Sequence, residues 1–321
     1  MLTAVFSLSG ALVFGAADFL GGLAAKRVSA LLATAVAALS GFVLLVALLP
    51  VLGGEWNAHD VLWGAISGAI GCVGIGLLYA CLAIGPMSIL SPTTAVVSAI
   101  VPVVWGLVVA GERFEAIGYW GLGLALVAVL LVGFVPERGA VRPSLRGILM
   151  AVGSGAAIGG FYIAIDQTSD ESGIVPLLLN RGVNAVIMFA AVGAVAAVVA
   201  LRARGRARGR ARGRVGAGAP HGAAREASAA LEDPRMPRAD RSALVAGIRL
   251  AVACGVVDAV ANALLLFGIR AGDLSVASVL GAMYPAGTIL LAALVLRERI
   301  APVQWAGLVL ALAAAAMLAV A

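Results

Sequence analysis

A few charged and amide side chains interrupt long apolar runs in this chain, and they could bind a solute or move a proton. Asp18 and Asp258 lie inside such runs, and Asn262 follows Asp258 by one helical turn, on the same helix face. A carboxylate inside a bilayer is costly and is therefore a functional candidate by default. We predict proton coupling through Asp258 or Asp18. The alternative for Asp18 is a position near the interface, where it only orients the next turn.

Arg181 follows Asn180 near the start of another apolar run. A fixed guanidinium in a cavity suits a carboxylate or a phosphate, because its donors form a planar fork. One alternative is that the side chain reaches the nearby interface. Another is a structural ion pair with Asp166 across a short connection.

Aromatic rings in otherwise aliphatic runs could line a binding cavity, since each gives contact area and a tyrosine adds one hydrogen bond. Tyr284 is of most interest, because Pro285 follows it and breaks the helical hydrogen-bond ladder. The alternative is packing or an interfacial belt. We expect the substrate-binding residues to be Asp258, Asn262, Asn180, Arg181, Tyr79, Tyr284 and Trp105.

The elements that position these residues are ten apolar runs. The chain is 62% hydrophobic and only 12% charged, with a mean hydropathy of +1.08. Each run is close to the roughly 20 residues that cross a bilayer, and backbone amides in lipid must be satisfied within a helix. We predict an all-α polytopic membrane protein with helices at about 3–25, 29–51, 61–84, 87–110, 117–135, 146–166, 174–201, 244–269, 274–296 and 302–320.

Several kinds of chemistry are disfavoured by what these runs lack. The only histidines, His59 and His221, lie outside the predicted helices, which argues against most metal sites and histidine-assisted nucleophiles. No phosphate-binding Gly-x-x-x-x-Gly-Lys-Ser/Thr motif occurs. We therefore expect no enzyme activity, no catalytic residue, no metal and no cofactor.

The chain contains an internal repeat. Residues 85–128 match 272–314: Gly85, Ser88 and Ser91 correspond to Gly272, Ser275 and Ser278, and Glu112 and Arg113 correspond to Glu298 and Arg299. The offset equals five predicted helices, and because five is odd the second copy enters the membrane from the opposite side. Inverted repeats of this kind are common in secondary transporters, which bind substrate near the midplane between the halves.

The chain resembles the EamA-type family of the drug/metabolite transporter superfamily. The residues that carry the resemblance are Phe14–Arg27 (FGAADFLGGLAAKR), the endings Gly111–Phe114 (GERF) and Arg297–Ile300 (RERI), and Pro285 thirteen residues before Glu298. In the first copy Ala99 occupies the position of that proline, and Pro102 is displaced. The resemblance implies one EamA-like five-helix repeat over 1–138 and a second over 144–321.

The resemblance and the repeat together predict a secondary active transporter of small organic metabolites or drugs. We expect an exporter in the plasma membrane that works by alternating access. Uptake of a sugar or nucleotide sugar is the alternative within transport. A non-transporting membrane adaptor that acts through its basic segment is the alternative outside it.

That basic segment interrupts the second repeat. Residues 202–241 hold eleven arginines, and residues 202–214 alternate arginine with alanine or glycine. Such low complexity predicts a disordered loop over 202–243. We expect contact of 202–214 with anionic lipid head groups, and no nucleic-acid partner, because no aromatic residue is present to stack on bases.

Membrane orientation and oligomeric state stay open. The connections after odd-numbered helices carry more basic residues than the others, which places them in the cytoplasm. The family resemblance implies instead that both termini are cytoplasmic. A monomer and a homodimer are both compatible with the sequence.

Overall fold

The computed structural model describes residues 1–84, 87–133, 143–215, 238–295, 297 and 300–321. The helices are α1 (Leu2–Ala25), α2 (Ala30–Leu52), α3 (Ala58–Ile84), α4 (Met87–Trp105), α5 (Ala116–Gly133), α6 (Leu145–Asp166), α7 (Val175–Val215), α8 (Arg238–Arg270), α9 (Leu274–Gly281), α10 (Tyr284–Val295) and α11 (Pro302–Val320). Within these residues ten helical segments are long and apolar enough to cross a bilayer. The predicted fold class is thereby confirmed.

Local sequence explains where several spans begin. Ser29 and Ser144 each precede a helix, and their hydroxyl oxygens accept hydrogen bonds from Leu32 N (3.2 Å) and Gly147 N (3.1 Å). These bonds satisfy backbone donors that the first helical turn leaves free. Pro302 is the first residue of α11, a position where its missing N–H costs nothing.

The fourth and ninth spans depart from regular helix. The ninth consists of α9 and α10, which are separated at Ala282 and Met283. Pro285 has no N–H for the carbonyl of Gly281, so the ladder cannot run through this point. The fourth span ends in a π-helical turn, Gly106–Ala110, which Gly111 closes in a left-handed conformation with φ 74°.

The packing of the spans follows the predicted repeat. The first span packs along the eighth, and the sixth packs along the third; the second contacts the eighth, and the seventh contacts the third. The fourth span contacts the sixth, and the ninth contacts the first. In addition, the fifth span contacts the tenth, the second contacts the seventh, and the fourth contacts the ninth. When five is added to each span number, with the count returning to one after ten, every contact of this set becomes a contact of the same set. This exchange supports an arrangement in two related halves.

Helix α7 differs from the prediction at its carboxyl end. It runs on to Val215, and α8 begins at Arg238, so residues 202–215 and 238–243 are helical rather than a disordered loop. Alanine and arginine both favour helix, and propagation from a formed helix avoids the cost of nucleation. The remainder of the predicted loop, 216–237, lies outside the described residues.

A network of polar contacts joins the connections on the face where the even-numbered spans end. The carboxylate of Asp60, which is fully buried, accepts hydrogen bonds from Ser169 N (2.9 Å) and Ser169 Oγ (2.6 Å). Arg270 donates to Gly173 O (2.7 Å), Ser169 O (2.8 Å) and Ser172 Oγ (2.9 Å). These bonds tie the starts of the third and seventh spans to the end of the eighth.

A second contact on the same face joins the fourth and ninth spans. Ser275 N donates to Glu112 Oε2 over 3.3 Å, so the carboxyl group caps the first turn of α9. Burial raises the pKa of Glu112, although hydrogen bonds from Ser275 oppose the shift. Its sequence counterpart, Glu298, lies outside the described residues.

Candidate functional site

A cavity of about 190 Å³ lies among the spans and gathers most of the residues that the sequence singled out. Spans from both halves line it, through α1, α3, α6, α7, α8 and α10. The lining residues are Phe14, Asp18, Gly71, Ile75, Leu78, Ile158, Phe161, Tyr162, Asn180, Arg181, Asn184, Asp258, Asn262 and Tyr284.

An ion pair crosses the cavity between α7 and α8. Arg181 Nη2 lies 2.5 Å from Asp258 Oδ2, and the two side chains are 13% and 23% exposed. Arg181 is thus held inside the bundle rather than reaching the interface. Its partner is Asp258 and not Asp166, because the pairing depends on how distant spans pack and not on proximity along the chain. Glycine at position 41 lets α2 approach α8 closely, since an added Cβ there would lie 3.0 Å from Gly255 O.

Asn262 fixes the other side of Asp258. Its Nδ2 donates to the backbone oxygen of Asp258 over 2.8 Å and makes a longer contact of 3.4 Å with Asp258 Oδ1. This is the geometry that their four-residue spacing predicts. The carboxylate therefore faces both a guanidinium and an amide, and it has little freedom to turn away from the cavity.

A chain of hydrogen bonds holds the amides of α7 against α3. Cys72 Sγ donates to Asn184 Oδ1 (2.7 Å), Asn184 Nδ2 donates to Asn180 Oδ1 (3.2 Å), and Asn180 Nδ2 donates to Ser67 Oγ (3.0 Å). Ser67 in turn donates to Gly64 O over 2.7 Å. Buried amides in such a chain are oriented rather than free to rotate. The sequence analysis missed Asn184, which its spacing of one turn from Asn180 could have revealed.

Asp18 differs from Asp258 in having no partner among the described residues. Asp18 is exposed and lines the cavity. Its side chain forms no hydrogen bond or ion pair with another residue in the described part of the chain. The carboxylate therefore faces the cavity itself. The lining then carries two carboxylates and one guanidinium.

The aromatic residues only partly follow the prediction. Tyr284, at the break between α9 and α10, lines the cavity together with Tyr162 and with Phe14 and Phe161, two rings that the sequence analysis did not single out. Trp105 instead packs against the apolar cluster that contains Leu45 and Leu177, and does not line the cavity. The side chain of Tyr79 lies outside the described residues.

The lining of the cavity provides groups that can bind a small solute. Across the described ranges no group of three histidine, cysteine, aspartate or glutamate side chains could hold a metal ion. The cavity offers carboxylates, one guanidinium, oriented amides and ring faces. Such groups bind a small polar or amphipathic solute by hydrogen bonds and ring contact.

Comparisons with known proteins agree with the resemblance read from the sequence. The model of the EamA-like transporter family matches residues 232–320, which hold the last three spans. One solved structure, described only as a crystal structure of a protein, covers 98% of this chain and 95% of its own chain with a TM-score of 0.63 at 16% identity, so it bears on the fold alone. No curated protein matches the chain.

The family match confirms the EamA-type resemblance within the second predicted repeat. Together with the ten spans it identifies an integral, multi-pass membrane protein. The match to the EamA family suggests a transporter of the drug/metabolite type.

Proposed function

We propose that this protein is a secondary active transporter that exports small organic metabolites or drugs across the plasma membrane through the cavity between its halves. The observation that carries the proposal is the cavity itself. Within an otherwise apolar bundle, the side chains of Asp18, Arg181 and Asp258 converge on one space, together with three asparagine amides. Charges inside a membrane are expensive, and they are retained where they line a solute or ion pathway.

Alternating access is the mechanism that the packing supports. Spans of both halves line the cavity, and the main contacts between spans exchange under the five-span shift. Two related halves can rock about a central site, so that it faces one side of the membrane and then the other. If the halves separated on the face where the even-numbered spans end, the Asp60–Ser169 and Glu112–Ser275 contacts would break. We assign these contacts to the closure of that face.

Proton coupling fits the two carboxylates. A proton on Asp258 would remove its attraction to Arg181 and free the guanidinium, whereas a proton on Asp18 would neutralise the cavity-facing carboxylate. Either event changes the charge that a bound solute meets, and binding could therefore be linked to proton release. The two residues have different partners, so their substitutions should have distinguishable effects.

The experiment has two stages and uses the full-length protein. Thermal-shift measurements in detergent against amino acids, sugars, nucleotides and cationic drugs find the ligand class; a ligand at about one hundred times its Kd stabilises by roughly 2.7 kcal/mol. Proteoliposomes loaded with a hit then measure flux with and without a pH gradient. Asp18→Asn and Asp258→Asn should each weaken gradient-driven flux, while Glu115→Gln, an exposed carboxylate in a connection, should not.

Two results would count against the proposal. If no solute class gives flux above protein-free vesicles, the protein is not a transporter of such solutes. If both aspartate variants keep full gradient-driven flux, proton coupling through these residues is excluded even though transport remains.

A further inference from the structure

The charges that line the cavity do not balance. Arg181 is already paired with Asp258 at 2.5 Å. Asp18 has no cationic partner among the described residues, and it is exposed to the cavity. The lining is therefore short of one positive charge. An uncompensated carboxylate in a low-dielectric setting is unfavourable, and a cation bound beside it would relieve that cost.

The walls around this carboxylate are aromatic. Phe14 lies one helical turn before Asp18 on α1, so both face the cavity from the same side of that helix. Phe161, Tyr162 and Tyr284 complete the ring surfaces, and the rings of Phe161 and Tyr162 lie 5.3 Å apart between centroids. Ring faces attract organic cations, and their apolar bodies pack on the same surfaces.

An anionic cargo fits this lining less well. The only guanidinium in the lining already forms an ion pair with Asp258, so an anion would meet two carboxylates, Asp18 and Asp258, and one positive charge. A neutral cargo would leave Asp18 without a counter-charge unless a proton neutralises the carboxylate. The cavity, at about 190 Å³, is also smaller than the roughly 300–1,000 Å³ of typical drug-sized sites. The cargo should therefore be compact.

We propose that the cargo is a compact organic amine with a single positive charge and an aromatic or bulky apolar body, and that Asp18 binds its ammonium group. This inference rests on the proposed transport function and names the substrate class for the same cavity. The ring faces of Phe14 and Tyr284 hold the body of the amine.

Three probes of similar shape test the charge requirement: phenethylammonium, 2-phenylethanol and 3-phenylpropionate. Their binding is measured on the full-length protein in nanodiscs by isothermal titration calorimetry. A charge-assisted hydrogen bond contributes about 1.5–3 kcal/mol, so phenethylammonium should bind about 10- to 100-fold more tightly than the alcohol. The carboxylate should bind no better than the alcohol.

Variants at one position locate the effect. Asp18→Asn should remove most of the preference for the ammonium over the alcohol, and Asp18→Glu should keep it. Glu115→Gln removes one negative charge from an exposed connection and should leave the preference unchanged. Binding of 2-phenylethanol reports whether Asp18→Asn still has a formed cavity, so that misfolding is not mistaken for lost recognition.

The outcomes separate this inference from the transport proposal. Loss of the ammonium preference in Asp18→Asn alone supports the inference. Equal or tighter binding of the alcohol or the carboxylate to the wild type overturns it, as does an unchanged preference in Asp18→Asn or no binding of phenethylammonium at all. In each of these cases flux of another solute class in proteoliposomes would keep the protein a transporter, whereas absence of all flux would remove that function as well.

Discussion

Removing both partners of the Arg181–Asp258 ion pair should destabilise the protein by clearly less than the sum of the two single removals. In Asp258→Asn the guanidinium of Arg181 stays charged but loses its partner. In Arg181→Gln the carboxylate of Asp258 stays charged but loses its partner. The double variant has neither charge. Because both side chains are mostly buried, at 13% and 23% exposure, the two substitutions should be strongly coupled.

The size of the coupling follows from the geometry. The contact of 2.5 Å between Nη2 and Oδ2 places the charge centres about 4 Å apart, where the attraction is about 4 kcal/mol at an effective dielectric constant near 20. Breaking a buried pair by removing one partner costs about 3–5 kcal/mol. The cavity lets water reach Asp258, so the lower end applies. We expect about 3 kcal/mol for each single variant and a coupling of at least about 1.5 kcal/mol in the double variant.

Thermal unfolding of the four proteins in one detergent measures this cycle. Each kcal/mol should shift the Tm by about 2 °C in a chain of this size, so each single variant should melt roughly 6 °C lower. Arg249→Gln provides the matched control, since Arg249 is exposed on α8 nine residues before Asp258. Its effect and that of Asp258→Asn should add to within about 0.5 kcal/mol. If the effects of Arg181→Gln and Asp258→Asn also added to within about 0.5 kcal/mol, the ion pair would make no significant contribution to stability.

Three further predictions concern other parts of the bundle. Gly15→Ala should cost about 1–3 kcal/mol by overpacking, because its Cβ would lie 2.4 Å from a backbone nitrogen of α10, whereas Gly22→Ala on the same helix meets nothing within 4 Å and should not lower the Tm. Burial raises the pKa of Glu112 in the folded protein. Glu112 therefore stabilises the fold fully at pH values below its pKa in the unfolded chain, about 4.3, and this stabilisation is lost as the pH rises through its pKa in the folded protein. The Tm difference between wild type and Glu112→Gln should therefore fall with rising pH, and a difference that is constant or grows would contradict the shift. Replacing 205–240 by a flexible Gly/Ser linker should leave proteoliposome flux unchanged, while loss of flux with an intact fold would assign this segment a role in transport.

The sequence predicted the spans well because their signal is local. A run of about 20 apolar residues must form a helix in lipid whatever its neighbours are, and the helix ends agree with the structure to within a few residues at most termini. The low complexity of 202–215 predicted disorder, but α7 continues as a helix through these alanine and arginine residues, which favour it.

The site was predictable only in its local relations. The Asp258–Asn262 contact follows from helical spacing, and Tyr284 follows from the neighbouring Pro285. The pairing of Arg181 with Asp258 does not, since it joins residues of different spans. Trp105 was expected to line the cavity, but it packs against an apolar cluster instead. The direction in which a ring points depends on how its helix packs, which the sequence alone does not reveal.

Blocking the cavity without disturbing the bundle tests most directly whether solutes pass through it. Gly71 lines the cavity, and a Cβ there would meet only Asn184 Nδ2, at an ordinary 3.8 Å. Gly76, on the same helix, is exposed and has nothing within 4 Å. The measurement is solute counterflow in proteoliposomes for wild type, Gly71→Leu and Gly76→Leu.

A leucine that fills the binding space should cost the solute at least about 1.4 kcal/mol, or tenfold in affinity. Counterflow should therefore fall by about tenfold or more at subsaturating solute in Gly71→Leu and stay close to wild type in Gly76→Leu. Equal counterflow in all three proteins would mean that solutes do not pass through this cavity, which contradicts the account.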